Sequence, residues 1–149
     1  LDQSMHRTAA KTMLKWAQKH KIELIVSSIA IKSPKGSEEM IGIGSTDSAR
    51  KKVKDAGLKV LEHGTIPGIP GMLLNEGSMT GQDVIVIIFH TDGKGPDFKS
   101  SAQLCLAMSK LIPGASCNIQ SLQKEAEKAE IVIKEAEKES KHLRDSMYR

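Results

Sequence analysis

The chain has 149 residues, enough for one domain with a sizeable core, and a mild net charge of +4. One Trp, one Tyr and two Phe leave that core to Ile, Leu, Val, Met and Ala. Only four Arg, with no Arg-rich stripe or base-stacking aromatic platform, argue against nucleic-acid binding, and no apolar run has the length of a membrane span or the pattern of a signal peptide.

Residues 5–20 read as an amphipathic helix with Met5, Ala9, Met13, Trp16 and Ala17 on one stripe. Residues 22–31 follow as a strand. Its apolar middle, Leu24-Ile25-Val26, and the later run 84–89 suit strands covered on both faces, the habit of parallel sheets. Residues 40–44 and 58–61 are shorter strand candidates, and Thr46-Asp47-Ser48 offers an N-cap for a helix ending at Gly57. A further helix begins at Asp97 or Phe98 and stops before Pro113-Gly114. Strand, helix and strand thus alternate as in a wound α/β sheet. About four strands make a thin sheet, its edge completed by another subunit or by strands preceding Leu1, and the leading Leu favours the second.

Residues 118–146 read as one helix without Gly or Pro, dividing the chain into a body, 1–117, and a helix with its tail, 118–149. Leu122, Ala126, Ala129, Ile133, Ala136, Ser140, Leu143 and Met147 alternate at spacings of four and three, a heptad seam. Its alanines permit close approach but bury little area, so the seam is expected to lie along the body or a sister helix. Glu130 with Lys134 and Glu137 with Lys141 make favourable i, i+4 pairs on the opposite face. From Leu122 onward seven Lys or Arg balance seven Asp or Glu, leaving the whole charge excess on the body, where it suits an acidic partner. The chain ends in Met147-Tyr148-Arg149, a pattern suited to carboxyl-terminal recognition: the carboxylate seeks a cation while the preceding side chains fill pockets.

Chemistry-bearing motifs are few. Gly68, Pro70 and Gly71 turn the chain sharply and let a short helix start against a strand end, and tight packing accounts for them better than phosphate binding, since the P-loop lysine and hydroxyl are absent. Gly42-Ile43-Gly44 lacks the third glycine of a dinucleotide fingerprint. His90, Asp92 and Asp97 gather at the C-terminal end of the buried strand, a usual ligand position in α/β sheets, with turn bonding and helix capping as their simpler roles. Nearby Lys94 is flanked by glycines. Gly77-Ser78-Met79-Thr80-Gly81 has Met where a nucleophile elbow needs Ser. The five His are scattered, so neither a metal nor a cofactor is expected. Cys105 in an apolar helix and Cys117 near a turn are expected to be buried free thiols, and with no signal that suggests export the chain is expected to be cytoplasmic.

Several of these pieces recur in order. Gly68-Ile69-Pro70-Gly71-Met72-Leu73-Leu74, the strand 84–90, Thr91-Asp92-Gly93 with Pro96-Asp97, Ala102 with the apolar helix through Leu111, and the charged helix ending in Met147-Tyr148-Arg149 resemble the C-terminal two-thirds of the archaeal proteasome assembly chaperone family, sometimes labelled ATP-grasp-like. The glycine-containing first strand and helix of that family's N-terminal third are not in this sequence. The resemblance implies a three-layer, mostly parallel sheet related to the nucleoside phosphorylase-like fold. It implies a non-enzymatic homo-oligomer whose hydrophobic-Tyr-X tail, Met147, Tyr148 and Arg149, docks between α-type subunits of the proteasome core particle. The competing readings are a nucleoside phosphorylase-like or ATP-grasp-labelled enzyme using the Gly68–Gly71 turn and the loop of His90, Asp92 and Asp97, and a terminal helix that serves oligomer assembly alone.

Overall fold

In the computed structural model the chain is described at residues 2–32, 39–91 and 98–122, and at 124–125, 127–129, 131–132, 135–136 and 138. The elements follow the order α1 (Gln3–Lys19), β1 (Leu24–Lys32), β2 (Ile41–Gly44), α2 (Asp47–Asp55), β3 (Lys59–Val60), α3 (Gly68–Thr80), β4 (Asp83–Thr91) and α4 (Phe98–Leu111). Thr46 caps α2 as its sequence implied, its hydroxyl accepting from Ala49 N at 3.0 Å.

The strands lie in the order β1-β4-β2-β3. β1 pairs parallel with β4 from Leu24↔Asp83 to Lys32↔Thr91, and β2 pairs parallel with β3. β2 runs antiparallel to β4, from Ile41↔Ile88 to Gly44↔Ile85, so the sheet is mixed though mostly parallel. The sequentially last strand is central, and that position explains its unbroken apolar run. Ile85 and Ile87 face Ala49, Val53, Ala107 and Leu111 of α2 and α4, while Val84 meets Ala10, Leu14 and Leu73 of α1 and α3 on the other side. Alternating side chains must therefore all be apolar, because helices cover both faces. The result is the three-layer α/β fold.

Two expectations are corrected. Along α1 the buried residues are Ala10, Leu14 and Ala17, whereas Met5, Met13 and Trp16 are exposed, Trp16 at 57%. Of the expected stripe Ala17 is buried as expected and Ala9 is half-buried, but the buried face is centred about 100°, one residue, from the stripe the periodicity suggested. Small Ala10 and Ala17 let α1 approach the body closely, while the Trp16 ring rests on His20 with centroids 4.6 Å apart. The second correction concerns Cys105 and Cys117, which are joined in a disulfide, their Cα atoms 5.6 Å apart. The chain reverses after α4 at Pro113-Gly114, with Gly114 at φ 79°, and returns Cys117 beside the helix it has just left.

Described residues between 119 and 138 are helical, opened by Asn118, whose Oδ1 accepts from Ser121 N at 3.0 Å. Of the expected seam, Leu122 and Ala129 are half-buried and Ala136 is exposed; Ala126, Ile133, Ser140, Leu143 and Met147 lie outside the described residues. Ile131 and Val132 are more than half exposed. Among the described residues no helix is long and apolar enough to cross a membrane.

Candidate functional site

The glycine turn begins α3. Gly68 holds φ at 75°, a left-handed value that costs glycine nothing, and Pro67 before it supplies no side-chain cap. A Cβ on Gly71 would stand 1.8 Å from Ile66 O, so the position admits only glycine. The helix that follows is not short: it runs thirteen residues to Thr80. Consequently Gly77-Ser78-Met79-Thr80-Gly81 is a helix end rather than a strand-to-helix elbow.

His90 lies on β4, opposite Ile31 of β1, near the strand's C-terminal end. Its carbonyl accepts from Ser100 Oγ at 2.8 Å, tying the strand to α4, while its buried Nδ1 has no hydrogen-bond partner among the described residues. Since α3 runs back along the strand it precedes, Gly68 and His90 share one end of the sheet, with no contact between them among the described bonds. Asp92 and Asp97, like Met147, Tyr148 and Arg149, lie outside the described residues.

Two carboxylates escaped the sequence reading. Asp83, at the opposite end of β4, accepts hydrogen bonds from Lys52 Nζ at 2.5 Å, Ser48 Oγ at 2.8 Å and the Thr46 hydroxyl. Burial pushes its carboxyl up, but the bonds from Lys52, Thr46 and Ser48 together outweigh burial and hold it below the usual carboxylate range. Glu76, only 7% exposed in the apolar helix α3, accepts from Arg7 Nε at 2.7 Å, with Lys11 Nζ 3.9 Å away, and so joins α3 to α1. An acid amid Met72, Leu73 and Leu74 was the available signal, but its partners are more than sixty residues away in sequence. Both carboxylates are engaged in ties between elements, which is structural rather than catalytic chemistry.

A cleft of about 330 Å³ opens elsewhere, where Met40, Leu58 and Lys59 face Gln103, Leu106 and Lys110 of α4. Its lining contains none of the candidate site residues read from the sequence. No group of three His, Cys, Asp or Glu among the described residues has the geometry of a metal site.

A model of the PAC2 family matches residues 2–137. The chain belongs to the PAC2 family. Among solved structures, this PAC2 chain is similar to Pyrococcus furiosus PbaA, an archaeal homolog of proteasome-assembly chaperone, with 27% identity and a TM-score of 0.81. That likeness covers all of this chain and 63% of PbaA. Pyrococcus furiosus PbaB, an archaeal proteasome activator, shares the fold at 20% identity and a TM-score of 0.68, over 92% of this chain and 60% of its own. A PAC2 family protein from Streptomyces avermitilis does so at 16% identity and 0.65. The chain therefore spans less than two-thirds of these relatives' length. No curated protein matches it.

Proposed function

We propose that this PAC2 protein is a non-enzymatic proteasome assembly chaperone or core-particle binding factor, working in the cytoplasm as a homo-oligomer. The observation that carries the reading is the likeness of the whole chain to PbaA, an archaeal homolog of proteasome-assembly chaperone. The proposed mechanism is tail insertion. Met147 and Tyr148 enter adjoining pockets between α-type subunits of the core particle, and the carboxylate of Arg149 meets a basic group there. A helical segment with exposed Ile131 and Val132 supports a stalk that carries the tail clear of the body. One tail binds weakly; several on an oligomer gain strength through effective concentration.

The test is capture of purified proteasome core particles by the intact protein and by a form lacking residues 147–149. Capture by the intact protein alone is expected. Equal capture by both removes tail docking, and capture by neither removes the proteasome reading.

A further inference from the structure

The disulfide joins no two layers of the fold, and its position gives it another use. Cys105 belongs to α4, a helix anchored by buried Ala107 and Leu111. Cys117 lies two residues before the helical segment that begins at 119. Between α4 and Cys117, residues 112–116 are exposed, and their hydrogen bonds are local: Ile112 N to Met108 O at 2.9 Å and Ala115 N to Ile112 O at 3.1 Å. The sulfur–sulfur bond therefore fastens the root of the terminal segment to the body at a place where backbone bonding reaches only a few residues.

We propose that Cys105–Cys117 is a reversible redox latch that orders the root of the terminal segment; its consequence, control of how the tail is presented, rests on the docking reading above. Both cysteines are half-buried rather than sealed in the core, which leaves them within reach of a small dithiol. A thiolate of the dithiol attacks Sγ of Cys117, whose neighbours are exposed, and the Cys105 sulfur leaves and takes a proton. The second thiol of the reagent then displaces Cys117, yielding a cyclic disulfide and two protein thiols. Two electrons pass from dithiol to protein; a disulfide of the same class reverses the step. When the latch is open, the twelve-residue separation between the cysteines is no longer closed, and the span is free to sample directions that the crosslink forbids.

The experiment uses the full chain purified without reductant, with dithiothreitol as probe. Intact mass is expected to rise by one hydrogen molecule on reduction. Hydrogen exchange of amides in residues 115–122 is expected to speed up by roughly tenfold or more, while β4 stays protected. Cys117→Ser should exchange like the reduced protein and ignore dithiothreitol. An unchanged mass, or unchanged exchange in 115–122 after complete reduction, overturns the latch. Core-particle capture is then compared between oxidised and reduced forms. A difference supports control of the tail, and equal capture overturns that consequence. If exchange responds but neither form captures core particles, tail docking falls and the latch stands.

Discussion

Asp83 and Lys52, thirty-one residues apart in sequence, meet at 2.5 Å and bind the start of β4 to α2. The same carboxylate receives hydroxyls from Ser48 and from Thr46, the residue that caps α2. One side chain thus fixes where the helix begins relative to the central strand.

That arrangement predicts a pH dependence. The folded pKa of Asp83 lies below its ordinary value, so its stabilisation is fully present above the unfolded carboxylate pKa of about 4 and is lost as pH falls through the lower folded value. Asp83→Asn should lower stability at neutral pH by about 1 kcal/mol, a modest figure because Lys52 is partly exposed, and should flatten the acid limb. Urea denaturation between pH 2 and pH 7 checks both effects. Parallel acid limbs in wild type and variant would contradict the assignment.

Glu76 predicts a different asymmetry. Replacing it with Lys puts an unpaired charge in a buried position facing Arg7 and Lys11, which should cost several kcal/mol. Arg7→Ala leaves Glu76 with Lys11 nearby and removes a half-exposed partner, so its cost should be smaller, about 1–2 kcal/mol. Thermal melting of the two variants should rank them in that order.

Gly71 tests the turn. Alanine there drives a methyl into Ile66 O, and relief requires moving the start of α3 away from the preceding loop. A loss of about 1–3 kcal/mol or more is expected for Gly71→Ala, read as a lower denaturation midpoint. A neutral variant would show that the loop yields easily.

The turned face of α1 gives the fourth test. Leu14→Ala empties a buried position and should cost about 2–5 kcal/mol, whereas Trp16→Ala removes a larger but exposed side chain and should cost less than about 1 kcal/mol. Similar losses for both would restore the stripe read from periodicity.

The α/β class was legible because it depends on local patterns. The apolar run of β4 reports burial on both faces, and Thr46 reports the start of α2, whatever surrounds them. The glycine turn was legible for the same reason: close backbone approach leaves glycine as its trace. Choices between two apolar stripes of α1 were not local. Met13 and Trp16 are the larger hydrophobes of the expected stripe, but Ala10 and Leu14 fit against the body, and only packing decides which face turns inward. The direction of β2 against β4, the pairing of Glu76 with Arg7, and the meeting of Cys105 with Cys117 likewise depend on where the chain returns in space. Periodicity ranks the faces of one element; contact between distant elements selects among them.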